Sequence, residues 1–209
     1  MKDKLTSLEL KWIVYDIGNS AFILLCTTII PIYFNSISSA AGIAESDYLT
    51  YWSYATSIAT IIVVLAGPIF GTLADYKDKK KRYFFISALL GALGLAAFWI
   101  PGNWKYFLLL FVCAKVFYSL SLVFYDSMLN DVTTDERMDN VSSVGYALGY
   151  IGSCVPFIIS LGLVLIGEKI GFSISTSMMI AFILNAVWWI AFTIPIAISY
   201  KQKSYIEKQ

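Results

Sequence analysis

The residue most in need of a chemical reason is Lys115, set in an apolar run ten residues after Lys105 and eleven before Asp126. An ammonium at mid-membrane depth costs on the order of 2.5–3.5 kcal/mol and normally faces a bundle interior or a water-filled cavity. Its stem cannot readily reach an interface roughly 15 Å away. Two roles fit: a cavity lysine that meets an anionic group of a solute or a coupling carboxylate, or a structural lysine satisfied by carbonyls. No Asp or Glu sits at the centre of any apolar run to act as counter-ion. Asp16 lies one turn into the first run, with Asn19 and Ser20 three and four residues on, so the three share a helix face. Interior packing, an inner gate or an interfacial carboxylate would each account for that face. Asp126 with Asn130 repeats the spacing at the end of the fourth run, and Asn185, central in the sixth, lines a cavity or bonds to a neighbouring helix.

Enzyme chemistry finds little support. Histidine is absent, so the commonest base and metal ligand is missing. No nucleophile elbow or phosphate-cradling glycine loop occurs. The three cysteines, Cys26, Cys113 and Cys154, lie far apart in apolar stretches without a C-x-x-C spacing, as buried thiols do. We expect no enzyme activity, no metal and no cofactor. A formal net charge of +1 gives no reason to expect nucleic acid.

These residues must be positioned by membrane helices. Of the 209 residues 58% are apolar and 14% charged, against roughly 25% charged in soluble domains. Apolar stretches near the 20 residues a spanning helix needs lie at 12–35, 51–73, 83–99, 106–125, 143–166 and 177–200. The expected fold is an all-α membrane protein of six transmembrane helices in one domain over 1–209. The first stretch has no clean cleavage site and reads as a retained helix, not a signal peptide. Trp and Tyr gather at many ends of the stretches, as headgroup-level rings do. The expected connections include 36–50, a tight Pro101–Gly102–Asn103 turn and a polar segment at 126–140. Gly145, Gly149 and Gly152 place small residues along one run where helices could approach closely, and Pro156 can bend it. Gly67 and Gly71 repeat the four-residue spacing.

Orientation follows from the basic residues. Twelve of the 15 Lys and Arg fall at the two ends of the chain and in the second and fourth connections; only Lys105 and Lys169 fall on the other side. Short connections rich in Lys and Arg stay in the cytoplasm, which predicts both termini inside.

The second connection, Gly71–Thr72–Leu73–Ala74–Asp75–Tyr76–Lys77–Asp78–Lys79–Lys80, resembles the signature between helices two and three of major facilitator transporters. Gly71, Leu73, Ala74 and Asp75 match it, and Lys79 and Lys80 supply its basic pair. Asp78 stands where a second glycine is usual. The stretches Trp12–Phe22, Phe124–Asp131 and Ser142–Gly152 are similar to the branch that contains fungal vacuolar amino-acid effluxers and their bacterial relatives. Asp126 and Asn130 stand where that branch often has Asn and Pro. The resemblance implies the N-terminal six-helix half of a major-facilitator fold. It also implies alternating access against a second half, a latch at Gly71, Asp75, Lys79 and Lys80, and a bacterial cytoplasmic membrane. The reading is half of a secondary active transporter for a small solute, with an amino acid as one candidate. Lys115 and Asn185 would lie in the cavity, and Asp16, Asn19 and Asp126 at the inner gate. The expected partners are membrane lipid and either a separate second half or another copy of this chain. The alternative is a non-transporting accessory subunit or a transporter remnant.

Overall fold

Thr6 starts the first helix. Its hydroxyl accepts from the Glu9 amide at 3.2 Å while the Glu9 carboxylate accepts from the Thr6 amide at 2.7 Å, a reciprocal capping box. Helix α1 then runs Ser7–Thr27 in the computed structural model, which describes residues 4–207. Lys2 and Lys208, two of the basic residues counted above, lie outside the described residues. The ladder breaks at Thr28 (φ −133°, ψ −77°) and resumes as α2, Ile29–Ala40. Two causes meet at the break. Pro31 has no N–H to offer the Thr27 carbonyl, and the hydroxyls of Thr27 and Thr28 both donate back to the Leu24 carbonyl.

Five further helices follow: α3 (Glu45–Ala74), α4 (Lys80–Ala96), α5 (Trp104–Val132), α6 (Asp135–Ile166) and α7 (Ile174–Ser199). A 3₁₀ turn, Gly167–Ile170, ends at Gly171 in the left-handed region (φ +90°). The Asn103 side chain caps α5 by accepting from the Lys105 amide at 2.8 Å, and Ser173 caps α7. With α1 and α2 taken as one broken span, five segments among the described residues are long and apolar enough to cross a bilayer. α4 has 17 residues, the short end of the spanning range, and continues in turns to Ile100.

Two expected connections are corrected. The segment 126–140 is helical except for Thr133 and Thr134, and the segment 36–50 is helical except for residues 41–44. Polar sequence there marks where the helix leaves hydrocarbon, whereas the backbone ladder continues into water. Asp135 and Glu136 favour the first turn of α6, where the helix dipole welcomes negative charge.

α1 packs along α6 and α7; α4 packs along α5 and α7; α3 lies against α5. The far end of the bundle is filled by aromatic rings, with Phe34 stacked on Phe107 at 5.8 Å and Phe98 and Phe182 edge to face at 5.6 Å. At the near end Lys11 Nζ donates to Ser199 Oγ at 2.7 Å, Arg137 reaches the Lys4 carbonyl at 3.1 Å, and the Ile206 amide donates to the Asp75 carbonyl at 2.8 Å. Both described chain ends, the α3–α4 turn and the α5–α6 junction therefore share one end of the bundle, hereafter the basic end.

Candidate functional site

Near the basic end a cavity of about 390 Å³ opens between α1, α5 and α6. From α1 it takes Trp12, Asp16, Asn19, Ser20 and Ile23; from α5, Tyr118, Leu122, Tyr125 and Asp126; from α6, Ser142, Tyr146 and Tyr150. Both sets on α1 and α5 follow the three- and four-residue steps of one helix face. The lining holds two carboxylates and five aromatic rings and no Lys or Arg. Asn19, itself buried, donates its amide to Asp16 Oδ1 at 3.0 Å and to the Tyr15 carbonyl at 3.3 Å, which fixes the Asp16 carboxylate against its own helix.

Three features hold the walls in place. Trp12 and Tyr125 stack at 4.2 Å, and each donates to the other's carbonyl at 3.1 Å, so α1 and α5 are clamped reciprocally. Tyr15 Oη and Ser121 Oγ lie 2.8 Å apart just behind that clamp. On the other side α6 approaches α1 through glycine. A methyl at Gly145 would come 3.1 Å from Asp16 Oδ2, one at Gly149 3.2 Å from the Asp16 carbonyl, and one at Gly152 would strike Ile17 Cγ2. The Asp16 turn is thus seated directly on the small face of α6. Pro156 lies within an uninterrupted α6, and the Ser160 hydroxyl donates back to its carbonyl at 2.7 Å.

At the α3–α4 turn, Lys80 is buried and its ammonium lies 3.5 Å from Asp75 Oδ1 and 3.4 Å from the Ser127 carbonyl. Lys79 is exposed and stands apart from that pair. Asp78 takes φ +60°, so the turn keeps the left-handed conformation for which glycine is usual. Gly71 faces open space, with nothing within 4 Å of an added methyl, and at Gly67 the nearest atom is 4.0 Å away. That pair makes no close seam within this bundle.

The chain past α7 returns to the same turn. Gln202 accepts from the Lys80 amide at 3.3 Å and donates to the Ala74 and Asp75 carbonyls, also at 3.3 Å. Asp131, buried at the end of α5, accepts from the Tyr200 hydroxyl and from the Ser204 amide at 2.9 Å.

A family model described as "Vacuole effluxer Atg22 like" matches residues 7–209. The chain belongs to that family. It is 37% identical over 214 residues to an uncharacterized MFS-type transporter, YxiO, of Bacillus subtilis (strain 168), an alignment that covers 100% of this chain and 50% of that protein. The chain thus spans about half the length of this curated relative. No solved structure matches it. The Atg22-like chain is therefore a transporter-family membrane protein with a six-helix body of major-facilitator type.

Within this Atg22-like body the expected site residues separate. Asp16, Asn19 and Asp126, read from sequence as gate residues, share the cavity. Lys115 and Asn185, read as cavity residues, are not among its lining. Lys115 lies on the same α5 face one turn beyond Tyr118, its ammonium 5.8 Å over that ring and about 16 Å along the helix from Asp126. Asn185 is fully buried between α6 and α7, donating to Ser160 Oγ at 2.7 Å and to the Ala181 carbonyl at 2.8 Å. Its place is explained by helix packing. Sequence reasoning missed the ring lining and the Glu9 network, in which Arg137 and Thr133 converge on one buried carboxylate. The Thr6-x-x-Glu9 capping spacing was the available signal. For the Gln202 and Asp131 contacts there was none, because their partners lie more than sixty residues away.

Proposed function

We propose that this chain forms one half of a secondary transporter that moves a small ammonium-bearing solute, such as an amino acid, by alternating access against a second six-helix half. The observation that carries the reading is the cavity. Carboxylates from two helices, Asp16 and Asp126, border one space with aromatic walls and no basic lining residue. Such a site attracts a positive group through charge and through ring faces. Lys115, deeper on the same face, is placed to meet the opposite end of a zwitterion as it advances. The basic end is cytoplasmic in this reading, by the excess of Lys and Arg there. Asp75 and Lys80 form a latch that opens and closes with the cavity.

The second half covers α3 and α6. Only 17% and 22% of their apolar windows are buried, against 56% for α1–α2 and 50% for α5. The exposed side of α3 carries Ser53, Ser57 and Thr60, hydroxyls that suit a protein neighbour better than lipid.

The test is solute counterflow in vesicles that contain this chain together with a second six-helix half. Asp16→Asn and Asp126→Asn should each lower exchange of an ammonium-bearing solute by at least about tenfold, the loss of one charge-assisted bond. Lys115→Met should insert normally and lower exchange of amino acids while sparing simple amines. Exchange that is absent from a folded complex, or unchanged in both aspartate variants, would defeat the proposal.

A further inference from the structure

On the side of the bundle away from the solute cavity, α4 and α7 leave a groove between them. It comprises two adjoining hollows of about 510 and 420 Å³ that share Ile194. The first, at the basic end, is bordered by Lys81, Arg82 and Asp78, with Phe85 and Ile198 below them. The second continues toward the bilayer centre between Leu89 and Leu93 on one side and Val187 and Ile190 on the other. Alanines at positions 92, 96, 186 and 191 keep its floor low.

The two hollows differ in chemistry along their length. Cationic groups stand only at the mouth: the Lys81 ammonium is tethered to the Ile198 carbonyl at 3.1 Å, and Arg82 is exposed. Lys201 joins Lys81 in a neighbouring recess. Lys80 is already engaged by Asp75, and Asp78 is the one carboxylate among the residues bordering the mouth. Positive charge therefore exceeds negative where the groove meets headgroup level, and the remainder is apolar. From Lys81 to Leu93 the groove follows α4 for about 18 Å, against roughly 15 Å for the hydrocarbon of one leaflet.

We propose that this groove retains an anionic glycerophospholipid, its phosphate between Lys81 and Arg82 and one acyl chain along Leu89, Leu93, Val187 and Ile190. Ordinary annular lipid requires no particular headgroup, whereas basic recesses between membrane helices select anionic ones. A retained lipid also supplies a counter-charge to Lys81 and Arg82, which form no ion pair with a carboxylate among the described residues, and it seals α4, the shortest of the spanning helices, against α7. The inference stands apart from the transport reading, because the groove and the solute cavity share no residue.

The test is native mass spectrometry of the purified chain released from nanodiscs of equal parts dioleoyl phosphatidylglycerol and dioleoyl phosphatidylcholine. The phosphatidylglycerol adduct should dominate. The double variant Lys81→Gln with Arg82→Gln should weaken it by about tenfold or more. Ala191→Trp, which fills the apolar part and leaves every charge in place, should weaken it as well. Millimolar inorganic phosphate should leave the adduct intact. Circular dichroism and elution volume check that each variant is folded; should the double variant not fold, Ala191→Trp and Lys201→Gln carry the comparison. Equal retention of the two lipids, no loss in the folded variants, or displacement by free phosphate would overturn the proposal.

Discussion

Glu9 has 1% of its surface exposed, yet its two carboxylate oxygens accept from Thr133, from Arg137 twice and from the Thr6 amide. One side chain thereby ties the start of α1 to the α5–α6 junction. Truncation would remove the Glu9–Arg137 ion pair, 2.8 Å long and with the carboxylate side chain only 2% exposed. Glu9→Ala should therefore destabilise the bundle by about 3 kcal/mol, as for other broken buried pairs. Thermal unfolding in detergent measures this, and Glu9→Gln should recover part of the loss by keeping the capping bond. The cavity lined by Asp16 and Asp126 obeys the same logic. Asp16 and Asn19 were legible as a pair because three-residue spacing fixes a helix face. Asp126 was expected beside them at the inner gate through the family resemblance and not from local spacing, because the meeting of α1 with α5 depends on the Trp12–Tyr125 clamp, and 113 residues separate its two members.

At the scale of elements, glycines that look alike in sequence do different things. Gly149 and Gly152 lie where α6 touches α1, while Gly71 faces open space on α3. Gly152→Ala should lower stability by about 1–3 kcal/mol through overpacking against Ile17. Gly71→Ala should leave the six-helix body as stable or raise it by up to about 1 kcal/mol, since alanine favours helix. Denaturation midpoints of the two variants, measured side by side, decide the matter. The boundaries of helices were less legible than their existence. Hydropathy reports where lipid ends, and in α5 and α6 the hydrogen-bond ladder continues past that point. The break at Thr28 was marked by Pro31 and two threonines, signals that a hydropathy profile averages away.

For the whole molecule, the uneven burial of its helices is the main datum. α1, α2 and α5 are the most deeply buried, α4 and α7 complete the core, and α3 and α6 present broad uncovered faces. Of the three cysteines read from sequence as buried thiols, Cys26 is buried, whereas Cys113 and Cys154 are exposed, the latter on α6 with Ile151, Val155 and Ile158 nearby. If a second six-helix half covers that face, labelling of Cys154 by an apolar maleimide should fall several-fold when the halves are produced together. Equal labelling with and without the second half would place lipid there instead. The tail after α7 is the other feature of this scale. Through Gln202 and Ser204 it binds both the α3–α4 turn and Asp131, so the tail is fastened to that turn and to the end of α5.

Sequence alone determined the solvent, the six apolar segments, the asymmetry of basic charge and the family. Each of these is a property of composition or of short-range spacing, which the bilayer reads one segment at a time. Tertiary structure decided which polar residues share a space. Asp126 entered the cavity with Asp16, Lys115 stayed one turn beyond it, and Asn185 turned to a neighbouring helix. The rotation and depth of each helix are set by ring stacking and by glycine contacts between distant segments, and no local pattern carries that information.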